Sequence, residues 1–150
     1  MNMSFSITEL KNKPLEMILQ HPLTKKPIKN PETKKEVIFL IVNQDSKSFY
    51  DAQYEAQAKL RQIYEDTKVL PTPEQTREAT YVMVSSLVVG WTKDTEEFLS
   101  EELGDDSKYS KENAFKILSN DDYFWIVKQV EEFIADKTRF FKTQSIKPVK

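Results

Sequence analysis

Apolar positions along this chain follow two different periods, and the change between them falls near residue 44. Before it, Leu15, Met17 and Leu19 sit two residues apart, on one side of an extended chain, which is a strand signal. Residues 36–42 form a β-branched and aromatic run that reads as a second short strand. Pro14, Pro22, Pro27 and Pro31 punctuate the region and bar it from helix. The two segments are predicted to pair as an antiparallel hairpin across a long, basic loop, residues 21–35. Residues 1–13 read as a loose arm.

From Asp45 the period becomes helical. Phe49, Ala52, Ala56, Leu60, Ile63 and Tyr64 recur at helical spacing behind a cap at Asp45 or Ser46, and Pro71 and Pro73 end the element. Thr72-Pro73-Glu74-Gln75 then carries a cap, a proline suited to the first helical position and a capping-box glutamine. The helix it opens is predicted to run to about Trp91. That helix is apolar nearly all round after Ala79, as suits the buried centre of a bundle.

Residues 95–103 read as a short acidic helix stopped by Gly104, and Ser110 caps a further helix over residues 111–118, with Glu112 near its start. Asn120-Asp121-Asp122 breaks and recaps the chain. A last helix is predicted from Asp122 to about Lys142, with Tyr123, Val127, Val130, Ile134 and Phe141 on one stripe. Phe133 and Phe140 widen that stripe, and Trp125 lies off its centre. Residues 143–150 read as a polar tail, and no internal repeat or low-complexity segment is read. The expected fold is α+β in a single domain, residues 1–150: a small N-terminal β-hairpin (14–43) followed by a mainly α-helical C-terminal part (45–142).

Composition narrows the functional classes. With 39% hydrophobic and 31% charged residues, the chain has the balance of a soluble globular protein. Its net charge of −2 argues against a dedicated nucleic-acid binder. The charge is uneven: residues 1–43 carry seven Lys against four Glu, residues 44–104 six basic against twelve acidic, and residues 105–150 nine against eight. The absence of cysteine excludes disulfide and thiol chemistry and permits a reducing cytoplasm. No signal peptide is read, and the longest apolar runs fall short of the ~20 residues that span a bilayer.

Little points to catalysis. The single histidine, His21, precedes Pro22 in a loop and has no cysteine or carboxylate cluster beside it, a poor basis for a metal site. Two glycines, Gly90 and Gly104, leave no phosphate-binding loop or dinucleotide fingerprint. Acidic pairs such as Glu101-Glu102 and Asp121-Asp122 point in different directions on a helix and read as solvated faces or helix starts. The loop lysines lack interleaved aromatics for stacking on bases. No cofactor and no enzymatic activity are expected.

Aromatic residues give the hint of association. Phe124-Trp125 and Phe140-Phe141 are adjacent pairs, and neighbours on a helix cannot both face one core. Phe124, Trp125, Phe140 and Phe141 are therefore candidate partner-binding residues, with at least one expected to stand exposed as an anchor.

Two blocks of the chain resemble the tail assembly chaperones of tailed bacteriophages. The first, residues 86–141, has Leu87-Val88-Val89-Gly90-Trp91, then Tyr109-Ser110-x-Glu112-Asn113-Ala114, then Phe124-Trp125, Val130, Phe133, Asp136 and Phe141 in order. The second, residues 19–50, has His21-Pro22-Leu23-Thr24-x-x-Pro27 and Asp45-Ser46-x-x-Phe49-Tyr50, with Lys25 where the family pattern usually has glycine and a longer lysine-rich loop after it. The resemblance implies a non-enzymatic morphogenesis factor of the host cytoplasm, absent from the finished virion. It would bind the tape measure protein and keep it soluble, help recruit the tail tube protein, and act as a homo-oligomer without nucleic acid or membrane. It also implies the shorter of two forms, the longer arising by frameshift near the end of the shorter. Two other readings stand beside it: a structural virion tail protein (a tube or tail-completion subunit), expected to be strand-dominated, and an acidic host-directed interaction module, expected to bind in a salt-sensitive way.

Overall fold

A computed structural model describes residues 13–136. The predicted arm before Lys13, the polar tail, and Phe140 and Phe141 lie outside the described residues. The order of elements is β1 (Leu15–Ile18), β2 (Ile38–Ile41), α1 (Lys47–Thr67), α2 (Pro73–Ser85), β3 (Val88–Trp91), α3 (Lys93–Leu103), α4 (Lys111–Leu118), a single 3-10 turn (Asp121–Tyr123) and α5 (Phe124–Ala135). The architecture is α+β, as the two periods imply. None of the described helices is long and apolar enough to cross a membrane.

The sheet is larger than a hairpin. β1 pairs with β2 antiparallel, as expected of the two segments, and the register sets Leu15 opposite Ile41 and Met17 opposite Phe39. A third strand, β3, then pairs antiparallel with the other side of β2, setting Phe39 opposite Trp91. The helix predicted to run to Trp91 therefore ends at Ser85, and Leu87-Val88-Val89-Gly90-Trp91 turns out as strand. Both Ser85 and Ser86 give their hydroxyls to carbonyls of the preceding turn, closing the helix. Val88 and Val89 then favour the extended chain, and Gly90 lies under the Leu40 side chain, where a Cβ would come 3.0 Å from Leu40 Cδ1.

Leu15, Met17, Leu19, Val37, Phe39, Ile41, Val88 and Trp91 belong to one buried core with Tyr81 and Val84 of α2, Ile117 and Leu118 of α4, and Ile126, Val127 and Val130 of α5. Each large apolar side chain so buried stabilises the fold by roughly 1.5–3 kcal/mol. α3 is fastened to the end of β2 by Thr95, which is fully buried. Its hydroxyl accepts from Ile38 N and donates to Ile38 O. At the far edge, Gln129 of α5 pairs with the backbone of Gln20, its Oε1 accepting from Gln20 N and its Nε2 donating to Gln20 O. α5 begins after the 3-10 turn and ends at Ala135, short of the predicted Lys142, with Asp136 outside the helix.

The long loop contains a repeat that the sequence reading missed. Leu19-Gln20-His21-Pro22-Leu23-Thr24-Lys25-Lys26-Pro27 is followed at once by Ile28-Lys29-Asn30-Pro31-Glu32-Thr33-Lys34-Lys35-Glu36. Each copy makes the same turn. His21 Nδ1 accepts from Leu23 N and Thr24 N, and Asn30 Oδ1 accepts from Glu32 N and Thr33 N. Thr24 and Thr33 each accept from the lysine two residues on, and Lys25 and Lys34 hold left-handed φ angles of 62° and 64°. Leu19, Ile28 and Val37, nine residues apart, close a ring of three backbone bonds: Leu19 N to Val37 O, Val37 N to Ile28 O, and Ile28 N to Leu19 O, each 2.9 Å. The repeat escaped notice because His21 and Asn30 differ as residues while presenting the same acceptor.

Candidate functional site

Five of the eight large hydrophobic residues that stand exposed among the described residues, Tyr50, Tyr54, Tyr64, Val69 and Leu70, belong to the hairpin of α1 and α2. Helix α1 is capped at its start by Ser46, whose hydroxyl accepts from Phe49 N, and at its end by Lys68 in the left-handed conformation. α2 starts at Thr72 with the predicted capping box complete. Although α1 is the longest helix, only Ala52 and Ala56 on it are buried. Small residues there let α1 pack closely along α2, which itself packs on α4. Leu60 and Ile63 of the apolar stripe remain half-buried, and Tyr64, assigned to that stripe by its spacing, stands exposed.

On one flank the two helices leave a trough. Its outer part, about 310 Å³, has Ala56, Leu60, Ile63, Ala79 and Val82 along it, with Glu78 reaching to within 3.7 Å of Lys59. Its inner part, about 360 Å³, adjoins it at Glu55 and Val82 and runs on to Tyr109 and Phe115. α2 alone, at ~1.5 Å per residue, gives the trough a length of roughly 20 Å, enough for three to four turns of a partner helix. Asp51, Glu55, Glu78 and Glu112 rim it with negative charge, against Lys59 and Lys111.

On the other flank of α1, Tyr50, Gln57 and Tyr64 share one line at seven-residue spacing, and Tyr54 and Arg61 share the next. All five are exposed. Tyr54 is 75% exposed, and Val69 and Leu70 at the hairpin tip are 64% and 75% exposed. This ridge was not singled out in the sequence, although its alternating four- and three-residue spacing was available as a signal.

Of the partner-binding candidates, Phe124 is exposed at the start of α5, with Lys128 Nζ 5.2 Å from its ring centroid. Trp125, half-buried, packs against the core. Phe140 and Phe141 lie outside the described residues. The structure thus separates Phe124 from Trp125 and sets neither among the residues that line the trough.

Four of the residues carrying the family resemblance, Trp91, Tyr109, Ser110 and Asn113, act together as a clamp. Trp91 Nε1 donates to Ser107 O at 3.0 Å, and its ring meets Tyr109 edge-on at 5.2 Å. Tyr109 donates to Val88 O at 2.7 Å, Ser110 caps α4 through Asn113 N, and Asn113 Nδ2 donates to Asp106 O and Lys108 O. These bonds tie the segment before α4 to β3 at Trp91 and Val88, the Tyr109 hydroxyl giving Val88 O a donor. Burial raises the Tyr109 phenol above its ordinary pKa. No group of three or more His, Cys, Asp or Glu among the described residues could hold a metal ion. Compared with known proteins, the chain matches no family model, no curated protein and no solved structure.

Proposed function

We propose that this protein is a tail assembly chaperone of a tailed bacteriophage. In this reading it holds apolar helical segments of the tape measure protein, keeps that protein soluble until the tube forms around it, and helps bring tail tube subunits to it. The observation that carries the reading is the α1–α2 hairpin: a long helix that buries two small residues and leaves an apolar trough on one flank and a tyrosine ridge on the other. An amphipathic partner helix docks in such a trough through anchors three and four residues apart. Two details of the resemblance add support. Trp91, Tyr109, Ser110 and Asn113 of its motifs meet in one clamp, and Lys25 stands at a left-handed position of the kind that favours the glycine usual in the family pattern.

Co-expression with the tape measure protein of the same phage tests this. The wild type should keep that partner soluble and co-purify with it, while Leu60→Glu with Ile63→Glu should fold normally and lose the partner. A partner that remains insoluble beside the wild type refutes the chaperone reading and returns weight to a structural tail subunit. Retained binding by the trough variant, but loss with Tyr50→Ser and Tyr54→Ser, moves the contact to the ridge.

A further inference from the structure

The twin turns carry charge that the fold does not use. Lys25, Lys26, Lys29, Lys34 and Lys35 are all exposed, and none makes an ion pair among the described residues. Residues 21–36 hold these five lysines against Glu32 and Glu36, a net +3. Directly beside them lies the opposite sign. Residues 93–106 hold Lys93 against Asp94, Glu96, Glu97, Glu101, Glu102, Asp105 and Asp106, a net −6.

The two patches adjoin because the second turn is docked on α3. Asn30 Nδ2 donates to Glu97 Oε2 at 2.6 Å, and Thr33 Oγ1 donates to Asp94 Oδ1 at 2.6 Å. Within one chain this seam is made by an amide and a hydroxyl, and the ammonium groups of the same turn stay outside it. A hollow of about 550 Å³ lies along the seam, with Lys29, Glu32, Phe98 and Glu101 among its walls.

Adjoining patches of opposite sign are self-complementary under a two-fold rotation about their boundary. We propose that two copies of this chain associate in that way, the lysine turns of each facing the acidic α3 and residues 105–106 of the other. Backbone geometry supports the assignment. Lys25 and Lys34 hold left-handed φ angles of 62° and 64°, a conformation in which glycine avoids the clash that a Cβ meets. Both copies of the turn nonetheless carry lysine there, retaining a charge where folding alone favours none; strain kept in this way points to function. The contact concerns copies of one chain and stands or falls separately from binding of a tape measure protein.

Sedimentation of the full chain tests it. The wild type should dimerise at low ionic strength and weaken at least tenfold in salt of about 0.5 M, where exposed charges are screened within a few ångströms. The turn variant (Lys25→Glu, Lys26→Glu, Lys34→Glu, Lys35→Glu) and the helix variant (Glu101→Lys, Asp105→Lys, Asp106→Lys) should each be monomeric alone. Mixed in equal amounts they should form a heterodimer, because both contacts of the pair are then between opposite charges. A neutralised set away from the left-handed positions, Lys26→Gln, Lys29→Gln and Lys35→Gln, should weaken the wild-type dimer even if the reversed turn variant fails to fold. A wild type that stays monomeric at low salt overturns the proposal, as does a mixture that does not associate or a dimer untouched by these substitutions.

Discussion

Replacing Lys25 and Lys34 with glycine should make this protein more stable, although it removes two side chains and adds none. Both residues sit at left-handed φ, 62° and 64°, at the same place in two equivalent turns. An L-residue gives up roughly 1–2 kcal/mol in that region because its Cβ crowds the following carbonyl oxygen. Glycine escapes the crowding but has more freedom to lose on folding, roughly 0.5–1 kcal/mol. The net gain is about 0.5–1 kcal/mol per turn. Each lysine bonds within its own turn, Lys25 N to His21 O and Lys34 N to Asn30 O, so the two gains should add to about 1–2 kcal/mol. In a protein of this size that corresponds to roughly 2–8 °C in melting temperature. Thermal and urea unfolding followed by far-ultraviolet circular dichroism, with the urea slope unchanged, would measure it. Lys26→Gly is the control, since Lys26 has no positive φ and should gain nothing. A double variant no more stable than the wild type, or a control that gains as much, would refute the claim that these turns hold lysine against conformational preference.

Further outcomes follow from single contacts. His21→Asn should stay within a few tenths of a kcal/mol of the wild type, because Asn30 makes the same two bonds in the equivalent turn, whereas His21→Ala should cost about 1 kcal/mol in urea unfolding. Trp91→Phe keeps a ring in the core but strips Ser107 O of its donor, and should lower stability by about 1–3 kcal/mol. The Tyr109 phenol has its pKa raised by burial, so the folded state favours the protonated form. Its stabilisation is complete below the ordinary value of 10.0 and is lost as the pH rises through the higher folded value. Tyr109→Phe should therefore flatten the fall in stability measured above pH 10.0, and an unchanged slope would rule out a contribution from this phenol.

Local chemistry wrote much of this fold into the sequence. The capping box at Thr72 and Gln75, the Ser46 and Ser110 caps and the alternation of Leu15, Met17 and Leu19 each concern residues a few positions apart, where backbone and side-chain preferences decide the outcome. β3 was hidden for a different reason. Its apolar residues follow α2 without a break in hydrophobicity, and only pairing with β2 and the room that Gly90 leaves for Leu40 make the extended chain the better partner. The repeat in residues 19–36 lay in the sequence but was concealed by a chemical equivalence, an imidazole nitrogen standing where its copy uses an amide oxygen.

The candidate surfaces divide in the same way. Adjacency alone required that Phe124 and Trp125 point apart, and the exposed member proved to be Phe124. Which flank of α1 is open was a tertiary matter, because a stripe of Phe49, Ala52, Ala56, Leu60 and Ile63 says that a face is apolar and not how far a neighbour extends to cover it. Leu60 and Ile63 in the distal half of that stripe lie beside Gln75, Ala79 and Val82 of α2, and the trough there is lined by α1 and α2 alone. The sequence also states every charge, but the lysine-bearing second turn and the acidic α3 become neighbours only once that turn is docked through Asn30 and Thr33. Preferences that act over a few residues are legible one residue at a time. Proximity between distant segments arises from packing, and that is where the trough, the ridge and the paired charges of this protein were decided.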